Sequence, residues 1–274
     1  MNRSNQNISA PSRRVPCRLG KSVVAASRIL VRVALGLVLV QGAAGAGAQT
    51  TISMNIDYAE GKYGEAEKST TWTSPLIFKH QAGPLSVKLN VPYVRASGVA
   101  VPGGDRISSV KEIQEGWGDI VTSVLYDVHD DASSGLVIAI GAKAKWATAN
   151  HSLDLLTTGK NDYSLLVDVL KPIGTIDLYG TLGRTKKGDP DGGNFADPWF
   201  STLGFSHRLS GQASWGLIHD YRQKLTRSGA PVSEATLFLE TKFGKGYKVQ
   251  GYVVRGFADA SPDLGVGMTL SIRF

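Results

Sequence analysis

The stretch that decides the fold is Leu264–Phe274, which reads LGVGMTLSIRF. Every second residue in it is apolar, and the residues between are glycine or polar. The apolar positions are Leu264, Val266, Met268, Leu270, Ile272 and Phe274. Because successive side chains of a β-strand point to opposite faces, this stretch predicts a strand with one wholly apolar face and one polar face.

The same alternation recurs upstream in runs of about ten residues that are separated by turn residues. No segment keeps the period of an amphipathic helix over three turns. The alternation predicts twelve strands, and the second of them, which contains Pro75, has the weakest pattern. The predicted spans are 50–58, 68–79, 84–94, 117–128, 135–147, 161–171, 174–184, 198–209, 212–223, 233–243, 246–256 and 263–274.

The predicted connections alternate between short and long. Short ones lie near His80–Gly83 and Ser210–Gly211, and the longest lies near Arg95–Gly116. This alternation is typical of an up-and-down barrel whose two rims face different surroundings, as in outer-membrane barrels. We expect the loop near Arg95–Gly116 to fold inward as a constriction, since Gly103 and Gly104 give it conformational freedom.

Aromatic and charged residues favour a membrane barrel over a soluble one. Residues such as Trp72, Trp146 and Trp199 lie near predicted strand ends, as expected of girdles at two membrane–water interfaces. Charges are too frequent on the polar faces to fill a dry core. We therefore predict an all-β, transmembrane, antiparallel up-and-down β-barrel with its apolar side chains toward lipid and its charges toward a watery lumen. The predicted pore-lining residues are Lys88, Asp119, Lys143, Lys145, Asp168, Asp177, Arg208, Asp220, Arg222, Glu240, Lys242 and Lys248.

Two of these candidates, Lys143 and Lys145, share one face of one predicted strand. In one interpretation they form lumenal salt bridges with acids on neighbouring strands, such as Asp119, Asp127 and Asp168. In the other they form a cationic stripe that selects anionic solutes. The spacing alone leaves both interpretations open.

Residues 1–48 differ in composition from the rest of the chain. They hold seven of the 30 Lys and Arg residues, no Asp or Glu, and the only cysteine, Cys17. A basic stretch to Arg32, an apolar core near Val33–Val40 and the small residues Ala46-Gly47-Ala48 predict a cleavable signal peptide for export through the inner membrane. We therefore divide the chain into a signal peptide, 1–48, and an outer-membrane β-barrel, 49–274.

The formal net charge of +7 comes from this leader alone, because the remaining 23 basic residues balance 23 acidic ones. A nucleic-acid partner is therefore not expected. Without a cysteine, the body also has no candidate for a disulfide, a thiolate nucleophile or a cysteine-based metal site.

The end of the chain, Met268–Phe274, resembles the terminal signal by which bacterial outer-membrane barrels are recognised for assembly. Its characteristic positions are Leu270, Ile272 and Phe274. The resemblance implies that the barrel-assembly machinery is a partner and that the mature protein lies in outer-membrane lipid.

A second resemblance covers roughly residues 116–184. Gly116-Trp117-Gly118-Asp119-Ile120, followed by Leu125-Tyr126-Asp127, is similar to a strand motif of the outer-membrane transporter family named for the meta-cleavage pathway of phenol degradation. Gly141 and Lys145 match that family's next strand, although Ala147-Thr148-Ala149 replaces its Pro-Thr-Gly. Thr158–Ser164 is similar to the segment that opens the strand after it. The resemblance implies a barrel that transports small organic compounds.

The sequence gives little support to an enzymatic function. The five histidines of the body show no metal-ligand spacing. A barrel lipid hydrolase needs a His–Ser pair on a lipid-facing strand, but His207 and Ser210 are three residues apart and point to opposite faces. We expect rim or interface histidines, and no catalytic residue, metal or cofactor.

We therefore predict a channel or transporter that passes small solutes, organic or aromatic compounds included, through a polar lumen. Three alternatives stay open: a non-conducting structural or adhesive barrel, a barrel lipid hydrolase, and a soluble secreted barrel that binds an apolar ligand.

Overall fold

The computed structural model describes residues 48–98, 113–150, 153, 156–189 and 193–274. The predicted signal peptide lies outside these residues except for Ala48. The predicted constriction by the loop near Arg95–Gly116 concerns residues 99–112, which also lie outside them.

The described residues form thirteen strand segments and follow the predicted spans closely. The segments are β1 (Gln49–Gly61), β2 (Ser69–Ala82), β3 (Leu85–Ser97), β4 (Gln114–Trp117), β5 (Ile120–Asp131), β6 (Leu136–Trp146), β7 (Asp162–Ile173), β8 (Ile176–Lys186), β9 (Trp199–Arg208), β10 (Ala213–Arg222), β11 (Val232–Phe243), β12 (Tyr247–Gly256) and β13 (Leu264–Arg273).

The strands form one closed antiparallel barrel. Apart from β4 and β5, consecutive strands pair with each other, and β1 pairs with β13 from Thr51 opposite Arg273 to Glu60 opposite Leu264. Both β4 and β5 pair with β3, so they are two parts of one barrel strand interrupted at Gly118. The prediction of a twelve-stranded barrel is therefore confirmed, and the β1–β13 pairing closes the sheet on itself.

The apolar side chains point outward. Along β7, Leu165 and Val167 are exposed, whereas Ser164, Leu166 and Asp168 between them line an interior cavity. The same outward exposure is found for Met54, Ile56, Leu182, Leu203, Leu237, Leu239, Val253, Val266 and Met268. Such a surface is unfavourable in water and favourable against acyl chains, so the predicted inside-out arrangement is confirmed and the barrel is transmembrane. In the described part of the chain, no helix has the length and apolarity needed to cross a membrane.

Aromatic side chains form contacts at both ends of the outer face. Toward the long loops, Trp146 and Tyr163 meet edge to face with ring centroids 6.2 Å apart. Toward the short turns, Phe243 and Tyr247 stack at 5.6 Å. Aromatic rings suit the two boundaries between hydrocarbon and water, where Trp and Tyr also place a polar group at the water side.

Candidate functional site

The candidate site is a cavity of about 580 Å³ inside the barrel, to which strands from β3 to β11 contribute. Six predicted pore-lining residues line it: Lys88, Lys143, Lys145, Asp168, Asp220 and Arg222. Because they come from four different strands, β3, β6, β7 and β10, only closure of the barrel brings them together.

The other six predicted pore-lining residues do not line this cavity. Asp119 lies at the break between β4 and β5. Two ion pairs involve four more of the predicted residues: Glu240 and Lys248 at 3.0 Å, and Asp177 and Arg208 at 3.9 Å. Lys242 is directly opposite Lys248. Contact of any of the twelve residues with a passing solute stays a prediction.

A buried ionic network lies at the long-loop end of the lumen. The Lys145 ammonium is 3.0 Å from an Asp119 carboxylate oxygen and 3.4 Å from one of Asp162. The Lys187 ammonium is 2.8 Å from the same Asp162 oxygen. Asp119 also accepts hydrogen bonds from the backbone N–H groups of Thr148 and Ala149. Lys145 therefore forms the salt-bridge arrangement that was one of the two interpretations of the lysine pair.

Two members of this network, Asp162 and Lys187, were not among the predicted site residues. Lys187 follows the end of β8, in a long connection without alternation, so no periodic pattern identified it. The next ion pair along this loop is much more exposed: Lys186 contacts Asp197 at 3.1 Å. The backbone N–H of Lys187 and the ammonium of Lys186 both bind the Asp197 carboxylate and hold its pKa below the ordinary value.

Three lumenal lysines form a second cluster. Lys79 of β2 and Lys88 of β3 lie directly opposite each other, and Lys143 of β6 acts electrostatically on Lys88. Among the described residues, none of the three has a carboxylate oxygen within 4.0 Å, in contrast to Lys145. The sequence analysis did not identify Lys79, because the alternation of the second strand is weak around Pro75.

Carboxylates cluster on a different part of the inner wall. Asp168 and Asp220 line the cavity and act electrostatically on Lys143. Thr202 donates a hydrogen bond of 2.5 Å to Asp220, and Glu234 lies directly opposite Asp220 across the β10–β11 pair. The lumen is therefore not uniformly cationic: lysines collect near β2, β3 and β6, and acids near β7, β10 and β11.

Inward-facing aromatic rings lie against glycines on neighbouring strands. Each ring is directly opposite its glycine in the strand register, and a Cβ atom on the glycine would overlap the ring. The pairs are Phe200 with Gly183, Tyr179 with Gly204, Phe238 with Gly216 and Tyr252 with Gly267. Because glycine has no side chain, each ring can lie close to the barrel wall, and it therefore takes up less of the lumen.

The histidines show one arrangement that the sequence analysis did not foresee. His219 Nε2 is 3.1 Å from the Ser233 hydroxyl on the neighbouring strand, so a His–Ser pair forms between two strands although no single described strand carries one. Within the described residues, no carboxylate or amide hydrogen-bonds to His219, so the pair lacks the third group that would orient the imidazole. No group of three potential metal ligands converges in that same part of the chain.

No protein-family model matches the chain, and no curated protein matches it. Solved structures do. The crystal structure of an outer-membrane channel from Pseudomonas putida F1 superposes with a TM-score of 0.64 at 14% identity, covering 84% of this chain and 96% of that one. The KdgM porin superposes with a TM-score of 0.51 at 10% identity, covering 82% and 99%. Membership of the phenol meta-pathway family stays a prediction, whereas the chain has the fold of outer-membrane channel and porin barrels.

Proposed function

We propose that the protein is a channel of the bacterial outer membrane that lets small solutes pass through its polar lumen. One observation carries the proposal: a closed barrel with an apolar exterior surrounds a cavity lined by charged and hydroxyl side chains. Ionised groups in the interior must each remain hydrated or paired, and a water-filled lumen keeps them hydrated.

The dimensions are compatible with a narrow pore. Twelve strands spaced about 4.8 Å apart and tilted by about 40° enclose a backbone cylinder about 24 Å wide. Side chains fill the interior of eight-stranded barrels, whereas barrels of 16 to 18 strands hold open channels. The glycines beneath the inward rings enlarge the lumen further, which supports passage of small organic solutes, aromatic compounds included.

Ion conductance across a planar lipid bilayer tests this proposal. The only cysteine is Cys17, in the predicted leader, so the barrel offers a background for single cysteine substitutions. Ser164→Cys places a thiol on the cavity wall, and Leu165→Cys places one on the outer face of the same strand. We expect steady conductance that a small methanethiosulfonate reagent reduces in Ser164→Cys and leaves unchanged in Leu165→Cys.

Absence of conductance at all voltages, from protein that still shows the heat-modifiable mobility of a folded barrel, would contradict the proposal and favour a structural or adhesive barrel. We propose no enzymatic activity for the His219–Ser233 pair. Lipid hydrolysis that is abolished by Ser233→Ala would show this part of the proposal to be wrong.

A further inference from the structure

We infer that Lys79, Lys88 and Lys143 form a binding station for small organic monocarboxylates inside the lumen. The inference rests on the proposed function for its role in transport, but the binding itself is measurable without conductance.

The first argument is the arrangement of like charges. Lys79 and Lys88 are directly opposite on neighbouring antiparallel strands, the geometry in which like charges repel most strongly across a sheet. Both residues are at inward-facing positions of their strands. Ser123 of β5, a small residue, lies between Lys88 and Lys143 and directly opposite each of them. An anion that enters between these ammonium groups relieves their repulsion.

The second argument is the lack of internal counter-ions. Lys145 is the next inward-facing residue after Lys143 on β6, and its ammonium forms ion pairs with Asp119 and Asp162. The three lysines of the station have no carboxylate at ion-pair distance within the described residues. Their donors therefore remain available to a solute, whereas those of Lys145 are already engaged.

The third argument concerns the body of the solute. The Lys143 ammonium lies 5.2 Å from the centroid of the Phe200 ring, and both residues line the cavity. Because Phe200 lies against Gly183, the ring is held close to the wall. A carboxylate bound at Lys143 therefore has a flat apolar surface beside it, which favours a carboxylate with an apolar body over chloride or acetate.

The fourth argument limits the charge of the solute. Asp168 and Asp220 act on Lys143 from their part of the wall. A second negative group on the same small solute would approach these carboxylates and be repelled. The station is therefore expected to prefer monocarboxylates over dicarboxylates of similar size.

Binding is tested with benzoate, acetate and phthalate on the purified full-length barrel in detergent, by titration calorimetry. We expect benzoate to bind more tightly than acetate or phthalate. Lys88→Gln and Lys143→Gln should each weaken benzoate binding about three- to tenfold, since each removes one charge-assisted contact in a partly hydrated site. Lys88→Arg should retain binding, and Phe200→Leu should reduce the preference for benzoate over acetate.

Lys248→Gln is the matched control. It removes one positive charge from the inner face, but Lys248 is paired with Glu240 outside the station. Unchanged benzoate affinity in this variant, with loss in Lys88→Gln, would support the station over a general effect of lumenal charge. Equal affinity in wild type, Lys88→Gln and Lys143→Gln, all verified as folded by heat-modifiable mobility, would overturn the inference.

Bilayer recordings separate this inference from the proposed function. A conducting channel whose current benzoate does not block, and whose ion selectivity Lys88→Gln leaves unchanged, would overturn the station alone. A silent barrel that binds benzoate through these lysines would overturn the channel and leave the station standing.

Discussion

Tyr252 of β12 donates a hydrogen bond to Asp57 of β1 by passing over Gly267 of β13. The three residues lie side by side across three strands, since Gly267 is directly opposite both of the others. The first and last strands of the barrel meet at the β1–β13 pair. The Tyr252–Asp57 bond therefore spans the seam at which the barrel closes.

Gly267→Ala tests the importance of this seam contact. A Cβ atom at residue 267 would overlap the Tyr252 hydroxyl and the Asp57 carboxylate. We expect the displaced side chains to lower the free energy of unfolding by about 1–3 kcal/mol. Loss of the hydrogen bond to the carboxylate would lower it by a similar amount. The measurement is the temperature at which the folded electrophoretic form converts to the unfolded form. Gly251→Ala is the control because a Cβ atom there would have no neighbour within 4 Å; equal effects of the two substitutions would contradict the role of the seam.

Two consecutive lysines test how burial changes the contribution of an ion pair to stability. Lys187 pairs with Asp162 with both side chains less than a tenth exposed, whereas the side chain of Lys186, paired with Asp197, is 73% exposed. Lys187→Gln should lower the free energy of unfolding by about 3 kcal/mol. This is the lower end of the range for a broken buried pair, because Asp162 keeps its contact with Lys145. Lys186→Gln should cost less than about 1 kcal/mol. Urea unfolding in lipid vesicles measures both, and a larger loss for Lys186→Gln would refute the argument.

Leu237→Arg tests the orientation of the apolar face. Leu237 lies near the middle of β11 and is 52% exposed outward. Arginine on the lipid face near the bilayer midplane should destabilise the barrel by about 2–4 kcal/mol. Thr236→Arg, one residue earlier on the inward face, should be far better tolerated because the lumen is polar. Folding yields into lipid vesicles distinguish the two, and the opposite ranking would show that the faces are inverted.

Deletion of Phe274 separates assembly in the cell from intrinsic stability. The backbone of Phe274 exchanges two hydrogen bonds with Thr50 of β1, and its side chain is largely exposed. Loss of these contacts should leave refolding into detergent nearly intact. If Phe274 also belongs to a terminal assembly signal, the deletion should strongly lower the amount of barrel in the outer-membrane fraction of cells. Equal loss in both assays would assign the residue a purely structural role.

The strands could be predicted because alternation is a local property that each segment carries by itself. β13 keeps the pattern over its whole length and β7 keeps it from Tyr163 to Val169 on the outward face, and both were located within about three residues. β2 was harder to recognise around Pro75, and the break at Gly118 within the fourth barrel strand was not foreseen. Asp119 lies at that break, and its carboxylate binds Lys145 and the backbone of a later loop.

Partners between distant strands were not predictable in the same way. Alternation places Lys143 and Lys145 on one face, but it carries no information about which strand wall lies across the lumen. Lys145 is neutralised by Asp119 and Asp162 of the two adjacent barrel strands, and Asp162 lies directly opposite it. In contrast, the contact of Lys143 with Phe200 of β9 joins strands that are not neighbours, and only the tertiary structure revealed it. The His219–Ser233 pair was missed because its contact depends on the exact register of the adjacent strands β10 and β11, which alternation does not fix.

The sequence by itself determined the strands, their two faces and the closed barrel, because a chain with alternating faces in lipid must pair every backbone group and keep its charges away from the acyl chains. The tertiary structure alone decided which charges are neutralised and which remain available to a solute. Those pairings depend on the stagger of the strands and on the curvature of the wall, which bring together side chains that no local pattern relates.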